Sequence, residues 1–105
     1  MAGKVDEIKS AIVAAPVVVY SKTYCPYCTK AKALLTDLKV PFTAFELDKL
    51  GDGDELQSSL QGLTGSRTVP QVFIGGKFLG GCDDTMAANR SGKLATLLKE
   101  AGVSI

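Results

Sequence analysis

The sequence predicts an α/β protein built on a four-stranded mixed β-sheet with helices on both faces. Three observations support this prediction. A continuous β-branched run, Val17–Tyr20, lies between two segments whose apolar residues recur at helical spacing. Two short apolar runs flank the pair Gly75-Gly76, as in a two-residue β-hairpin. The length of 105 residues suits one domain, which we expect to span residues 1–105.

The first half of the chain is predicted to alternate helix and strand. A first helix ends before Pro16. Its apolar positions are Val5, Ile8, Ile12 and Ala15. The strand Val17–Tyr20 follows and suits burial on both faces. A second helix stops at Val40-Pro41, because the residue before a proline disfavours helical backbone. Its apolar positions are Ala31, Leu34, Leu35 and Leu38.

The middle of the chain predicts a second strand and a third helix. The strand covers Phe42–Leu47, and Gly51–Gly53 forms a loop after it. Asp54 is the predicted cap of the third helix, because a short acidic side chain can accept bonds from the first helical amides. The apolar positions of this helix are Leu56, Leu60 and Leu63.

The last part of the chain predicts a β-hairpin and two helices. The hairpin strands are Val72–Ile74 and Lys77–Leu79, and Gly80-Gly81 ends the second strand. Asp83 or Asp84 then caps a short helix. Ser91-Gly92 separates this helix from a final one that Gly102 closes. The element order is therefore α-β-α-β-α-β-β-α-α.

The composition excludes several classes of function. The formal net charge is +1, which argues against a nucleic acid or a membrane surface as partner. The chain has no His, so histidine bases and histidine metal sites are excluded. The longest apolar stretch, Ala11–Tyr20, is interrupted by Pro16 and is too short to span a bilayer. The N-terminal segment lacks the pattern of a signal or transit peptide, so we expect a cytoplasmic protein.

The chemistry-bearing motif is Cys25-Pro26-Tyr27-Cys28, between the first strand and the second helix. Cysteines three residues apart at a helical turn lie at a separation suited to a disulfide. Cys25 falls at the helix N-terminus, where free amides and the helix dipole stabilise a thiolate, and Lys22 can add positive charge. We therefore predict Cys25 as the nucleophile and Cys28 as the less exposed resolving thiol.

Two other interpretations of the cysteines were considered. A structural zinc site usually takes four ligands, and the only further cysteine is Cys82. Incidental core cysteines are common, but a strand–CxxC–helix order is typical of a redox pair. Cys82 itself has two readings: a buried small apolar side chain, or a regulatory thiol activated near a helix start.

The chain resembles dithiol glutaredoxins of the plant or green-algal type in three ordered motifs. These motifs are Lys22–Cys28 (KTYCPYC), Thr68-Val69-Pro70 and Gly80–Asp84 (GGCDD). The similarity covers residues 5–98, nearly the whole chain, and implies a thioredoxin-like fold. Thioredoxins usually carry Trp before Cys-Gly-Pro-Cys, and monothiol iron–sulfur glutaredoxins usually carry Cys-Gly-Phe-Ser. This chain has neither motif.

The resemblance implies a glutathione-binding site. Pro70 is implied to follow a cis peptide bond, so that the backbone of Val69 holds the cysteinyl part of glutathione. The alternative for Pro70 is an ordinary proline at the start of a strand. Lys22 and Gln57 would hold the glycine carboxylate, although a solvated helix face is the alternative for Gln57. The remaining implied contacts are Tyr27, Thr68, Gly81, Cys82 and Asp83.

At the other end of the implied site, the amides of Cys82 and Asp83 would hold the γ-glutamyl carboxylate at a helix start. The Asp83 side chain would hold the ammonium group, with a plain helix cap as its alternative. Tyr27 is implied to pack beside glutathione or to lie at the rim. Arg67 either adds positive potential or is an ordinary surface residue.

The resemblance implies a glutathione-dependent thiol–disulfide oxidoreductase. Its partners would be glutathione and glutathionylated or disulfide-containing proteins, and we expect a monomer without a metal. A second hypothesis is a dimer that holds a [2Fe–2S] cluster through Cys25 of each chain and two glutathiones, which Pro26 is thought to disfavour in the family. A third, a thioredoxin-like enzyme reduced by a flavoprotein, is disfavoured by the Tyr24–Cys28 motif.

Overall fold

The structure is a computed structural model that describes residues 3–104, so the predicted domain bounds, Met1 and Ile105, lie outside the described residues. The helices are α1 (Gly3–Ala14), α2 (Pro26–Asp37), α3 (Gly53–Thr64), α4 (Cys82–Ser91) and α5 (Lys93–Glu100). The strands are β1 (Val17–Ser21), β2 (Thr43–Glu46), β3 (Gln71–Ile74) and β4 (Lys77–Gly80). A 3₁₀ turn, Leu47–Lys49, follows β2. The predicted element order is therefore confirmed.

The four strands form one mixed sheet in the order β2-β1-β3-β4. β1 runs parallel to β2 and antiparallel to β3, and β3 pairs antiparallel with β4. The hairpin turn is Gly75-Gly76 with φ values of 60° and 80°, which suit the glycines of a two-residue turn. The parallel pairing aligns Ser21 with Glu46 at the carboxyl ends of β1 and β2, beside the start of α2.

Helices cover both faces of the sheet because β1 is apolar on both sides. Val17 and Val19 pack into a core with α2, α4 and α5, whereas Val18 and Tyr20 pack into a second core with α1 and α3. All five residues of β1 are buried. This alternation confirms the two-sided burial that the β-branched run predicts. In residues 3–104, no helix is both long and apolar enough to cross a bilayer.

Two predicted helix caps are wrong. Helix α3 begins at Gly53 with Asp52 at its cap position, so Asp54 lies inside the first turn. Gly53 is required there, because a side chain would collide with the carbonyl oxygen of Leu47 in the unpredicted 3₁₀ turn. Helix α4 begins at Cys82 with Gly81 at the cap position, so neither Asp83 nor Asp84 caps it. 

Helix α2 also ends earlier than predicted. It stops at Asp37, with Leu38 at the C-cap and Lys39 at a φ of 60°, before the Val40-Pro41 pair is reached. The amide of Val40 then donates to the carbonyl of Leu35, which satisfies a terminal carbonyl of the helix. The predicted stop signal therefore lies just beyond the true end.

Candidate active site

Cys25 stands at the cap position of α2 with an extended backbone, and Pro26 is the first helical residue. Its Sγ atom accepts a hydrogen bond from the Cys28 amide at 3.3 Å, and its own amide donates to the Lys22 carbonyl at 3.1 Å. Pro26 loses nothing at this position, because the first helical amide has no acceptor within the helix. The sulfur of Cys25 therefore receives a free amide of the helix start, as the sequence predicts.

The two motif thiols differ in burial. Cys25 is half-buried, whereas Cys28 has no exposed surface. The pKa of Cys28 is raised to about 11, mainly by burial and then by the hydrogen bond with Cys25, against smaller lowering contributions from Lys22 and Ser21. Cys28 therefore remains a neutral thiol at physiological pH. This contrast agrees with the predicted order, in which Cys25 is the more accessible sulfur.

The loop before β3 brings a backbone carbonyl to the nucleophile. The Val69–Pro70 peptide bond is cis, and the carbonyl oxygen of Val69 lies 3.8 Å from Sγ of Cys25. The buried side chain of Gln71 stabilises the loop. Its Nε2 atom donates to the Thr68 carbonyl at 3.1 Å, and its Oε1 atom accepts from the Thr64 hydroxyl at 3.1 Å. The predicted juxtaposition of the Cys25 and Thr68–Pro70 motifs is therefore present.

A groove of about 440 Å³ runs between this loop and the start of α4. The predicted ligand residues that line it are Tyr27, Thr68, Val69, Pro70, Gly81, Cys82 and Asp83. Gly81 approaches the loop closely, because a Cβ atom there would lie 3.4 Å from the carbonyl oxygen of Pro70. The three motifs that are separate in the sequence thus meet around one groove.

Two predicted ligand residues lie outside the lining of this groove in the described part of the chain. The Lys22 ammonium group lies 5.9 Å from the ring centroid of Tyr24. The side-chain amide of Gln57 donates to the Arg67 carbonyl at 2.8 Å, so this polar group ties α3 to the loop. Arg67 itself is exposed and donates to Ser58 at 3.1 Å.

Three groove residues are missing from the sequence prediction: Ser66, Phe78 and Asp84. Phe78 lies on the edge strand β4, and no local pattern connects it to the motif. The glycine pair Gly80-Gly81 could have indicated that Asp84 packs closely against the chain before it. Gly80 has a φ of 141°, and a side chain there would collide with the Asp84 carboxylate.

Acidic side chains from a later part of the chain lie near the turn before Cys25 and near α2. Carboxylates from the end of β2 and the 3₁₀ turn reach this region. Glu46 pairs with Lys32 at 2.8 Å, and Asp48 accepts from the Thr23 amide at 2.9 Å and from its hydroxyl. The Thr23 bonds hold the pKa of Asp48 below its usual range. Asp48, which is distant from Thr23 in the sequence, therefore anchors the turn before Cys25.

Cys82 is buried and lies at the first position of α4, on the groove. Burial is the main cause that raises its pKa, and the nearby Asp83 adds to the effect. Burial and a raised pKa are what the interpretation of Cys82 as a buried small side chain predicts, whereas activation by the helix start would lower the pKa. In residues 3–104, no group of three or more His, Cys, Asp or Glu side chains could hold a metal ion.

An α/β fold with a free dithiol motif at a helix start, facing a cis-proline loop, defines a thiol–disulfide oxidoreductase of the thioredoxin-like class. A profile of the glutaredoxin family matches residues 17–79. The chain is 56% identical over 97 residues to the chloroplastic glutaredoxin-C4 of Oryza sativa subsp. japonica, covering 92% of this chain and 73% of the relative.

Two solved structures are similar over nearly the whole chain. A buckwheat glutaredoxin–glutathione complex is 44% identical, with a TM-score of 0.93 and coverage of 97% of this chain and 93% of the other. The holo form of glutaredoxin C1 from Populus tremula x tremuloides is 47% identical, with a TM-score of 0.91 and coverage of 93% and 97%. This chain therefore belongs to the glutaredoxin family, a family of glutathione-dependent thiol–disulfide oxidoreductases.

Proposed function

We propose that this glutaredoxin reduces mixed disulfides between glutathione and proteins or small molecules through the sulfur of Cys25. The observation that carries the proposal is the free, half-buried Cys25 at the helix start, 3.8 Å from the Val69 carbonyl and beside the groove. The Cys25 thiolate attacks the glutathione sulfur of the mixed disulfide. A sulfur–sulfur bond forms between Cys25 and glutathione, and the target sulfur leaves as a thiolate that takes up a proton.

A second glutathione completes the cycle. Its thiolate attacks the glutathione sulfur bound to Cys25, so that oxidised glutathione leaves and the Cys25 thiolate is restored. With protein disulfides, Cys28 instead attacks Sγ of Cys25, and the Cys25–Cys28 disulfide closes as the protein thiolate leaves. Electrons in both routes come from glutathione, which is a co-substrate.

The groove suits a tripeptide with two carboxylates and one ammonium group. Its α4 end offers the amides of Cys82 and Asp83 for the γ-glutamyl carboxylate and the exposed Asp83 side chain for the ammonium. The Val69 backbone lies in the middle for an extended peptide. Tyr27, Thr68, Pro70 and Gly81 supply the walls. 

At the far end of the glutathione site, a cation and an amide side chain would receive the glycine carboxylate. Lys22 and Gln57 are assigned to the glycine carboxylate, and both are half-buried outside the lining. Their side chains must therefore turn from the Tyr24 ring and the Arg67 carbonyl toward the ligand. A Lys22→Ala variant should raise KM for the glutathionylated substrate, and an unchanged KM would remove Lys22 from the site.

A glutathione-coupled reduction assay with glutathionylated peptide tests the main proposal. Cys25→Ser should lose activity by at least about a thousandfold, because the nucleophile is gone. Cys28→Ser should retain deglutathionylation, since that route needs one enzyme thiol, but should lose closure of the internal disulfide. Full activity of the Cys25 variant would refute the mechanism. Cys82→Ser is the matched control, a cysteine on the same groove that takes no part in exchange.

The second candidate function is a dimer with a bound [2Fe–2S] cluster, and the existence of a holo form in a Populus relative favours keeping it. Cys25 fits such a group as one thiolate ligand per chain, whereas the buried Cys28 does not. Two chains and two glutathione thiolates would complete the ligand set. The visible absorption and mass of anaerobically reconstituted protein test this candidate. A colourless monomer would eliminate it.

We propose that the protein acts as a monomer in the cytoplasm. Residues 1–105 would form its single domain. Its partners are glutathione and oxidised proteins, without nucleic acid or membrane. A chloroplast is the alternative compartment, because the Oryza relative is chloroplastic. The two compartments are distinguished by imaging this chain in cells with a fluorescent protein fused to its C-terminus. Fluorescence confined to the chloroplast would contradict the cytoplasmic assignment.

A further inference from the structure

A second groove, which we call the apolar groove, lies next to the groove beside Cys25. It has a volume of about 340 Å³ and opens between the second half of α1, the end of α3 and the β3–β4 hairpin. Apolar side chains that converge on one open groove are typical of a surface that binds a partner. The side chains that line it are Ile12, Val13, Leu63, Phe73 and Phe78, with Lys9, Thr64 and Gly76.

Much of the exposed apolar surface of the described chain lies in the apolar groove. Among residues 3–104, six large apolar side chains are exposed, and three of them line it: Val13, Leu63 and Phe78. Two of the others, Tyr24 and Tyr27, belong to the motif that contains the nucleophile. A stable dimer buries about 800 Å² per partner, and three partly exposed side chains offer much less. The size of the groove therefore suits a short segment of polypeptide rather than a large interface.

The apolar groove is continuous with the groove beside Cys25. Phe78 lines both grooves, and its ring packs against the buried ring of Phe73 at a centroid distance of 5.4 Å. The turn after α3 also joins them, since Thr64 lines the apolar groove and Ser66 lines the other. The Ser66 amide donates to the Thr64 hydroxyl at 3.2 Å. A ligand that leaves the Cys25 groove over Phe78 therefore enters the apolar groove.

The reaction with a protein disulfide brings a polypeptide to this part of the molecule. Cys25 attacks a sulfur of the substrate, so the chain that carries this sulfur lies beside Val69, in the groove that glutathione otherwise fills. Phe78 lines the same groove, so the residues on one side of the attacked cysteine leave across it. β4 is an edge strand of the sheet, and its outer backbone groups are available to an extended chain.

We propose that the apolar groove docks the polypeptide of a protein disulfide, next to the cysteine that Cys25 attacks. The bound segment is extended and places a large apolar side chain, such as leucine, among Val13, Leu63 and Phe78. Docking adds binding energy for polypeptide substrates and none for small disulfides, which are too short to reach the groove. The proposal rests on the proposed function and adds a substrate preference to its protein-disulfide route.

The test measures how fast the reduced, full-length protein reduces two peptide disulfides in the absence of glutathione, so that the peptide itself occupies the groove. Each substrate is a symmetrical disulfide of a synthetic peptide with one central cysteine. One peptide has leucine at every second position on both sides of the cysteine, because side chains alternate along an extended chain, and the other has serine there. Bis(2-hydroxyethyl) disulfide is the small substrate. Rapid acid quench and mass spectrometry give the second-order rate constants.

The variants are Leu63→Gln and Val13→Gln, which change the apolar groove at residues outside the lining of the groove beside Cys25. Leu50→Gln is the matched control, since Leu50 is 39% exposed and Leu63 is 37% exposed, and Leu50 lines a different pocket.

The wild-type protein should reduce the leucine peptide about tenfold faster than the serine peptide, because burial of one leucine side chain contributes at least this factor. Leu63→Gln and Val13→Gln should each lower this ratio to about threefold or less, whereas Leu50→Gln should keep it. The rate constant for bis(2-hydroxyethyl) disulfide should stay within about twofold of wild type in all three variants.

Equal rates for the two peptides with the wild-type protein overturn the docking site. A tenfold ratio that persists in both groove variants also overturns it, as does an equal loss of the ratio in Leu50→Gln, because the preference then arises elsewhere. Sedimentation tests a second copy as occupant: a dimer that Leu63→Gln dissociates assigns the groove to self-association instead. If Leu63→Gln does not fold, Val13→Gln, at a more exposed position, gives the same decision.

The failure of the proposed function has a different result. A Cys25→Ser variant that still reduces bis(2-hydroxyethyl) disulfide refutes the proposed function itself. A wild-type protein that reduces all three disulfides without preferring the leucine peptide, beside an inactive Cys25→Ser variant, refutes only the docking site.

Discussion

Two helix starts, those of α2 and α4, face the same groove and are built differently. At α2 the cap residue is Cys25, whose sulfur accepts a backbone amide at 3.3 Å, and the first turn has no acidic residue. At α4 the cap residue is Gly81, which has no side-chain bond to the helix, and Asp83 and Asp84 lie in the first turn. One helix start therefore directs an amide at a thiol of the chain, and the other has no side-chain cap on its first amides.

The comparison shows that closeness to a helix start does not by itself activate a cysteine. Cys82 is the first residue of α4, yet burial and Asp83 raise its pKa. Cys25 is one position earlier relative to its helix, and there the sulfur turns back to receive an amide. A cap position without nearby acids differs from a first-turn position that is buried beside them.

The largest expected effect concerns the reactivity of the thiols. In reduced protein at pH 7, iodoacetamide should modify Cys25 at least about a hundredfold faster than Cys28, because Cys28 has no exposed surface and its pKa is raised to about 11. Since its pKa is raised, Cys28 gains thiolate only as the pH climbs toward 11, and the rates should converge there. Time-resolved peptide mass spectrometry measures this, with Cys82 as the slow internal reference. Faster labelling of Cys28 or Cys82 would reverse the comparison.

A second prediction concerns the packing that forms the start of α4. Gly80→Ala should lower the free energy of unfolding by about 2 kcal/mol, because φ is unfavourable for alanine and the methyl group meets Asp84. Gly62→Ala in α3 is the control: its site is open, so it should add about 0.5–1 kcal/mol. Urea unfolding followed by circular dichroism gives both values. Equal effects at the two glycines would show that Gly80 is not required.

The smallest expected effect concerns ligand recognition by α4. Asp83→Asn should raise KM for a glutathionylated substrate about fivefold and leave kcat nearly unchanged, because an exposed carboxylate-to-ammonium contact contributes little more than about 1 kcal/mol. Asp6→Asn, in the first turn of α1, is the control for loss of a helix-start carboxylate elsewhere. A fall in kcat with constant KM would place Asp83 in the chemical step rather than in binding.

Much of the fold is readable from local sequence. The run Val17–Tyr20 predicts a strand buried on both faces, and the structure packs its alternate residues into two cores. The Gly75-Gly76 turn predicts a hairpin. The predicted caps of α3 and α4 are wrong, because several Asp residues near each helix start could serve as caps and the local pattern does not choose among them. The cap position is Asp52 at α3, where the close approach to Leu47 requires Gly53 as the first helical residue, and Gly81 at α4.

The candidate site is readable only in part. The resemblance of its three motifs to those of glutaredoxins implies that Cys25, the Val69–Pro70 bond and the start of α4 meet. Phe78 on β4 belongs to none of these motifs. Its side chain reaches the groove through the pairing of β4 with β3, which brings together residues from separate segments.

By itself, the sequence determined that Cys25 begins a helix with Pro26 behind it, because cap preference, proline geometry and helical periodicity are local properties. It also determined that no histidine could activate the thiol. Only the tertiary structure decided that burial and Asp83 raise the pKa of Cys82, and that Glu46 reaches Ser21. Burial and hydrogen bonding between distant segments depend on strand register and helix packing, and no local pattern encodes them.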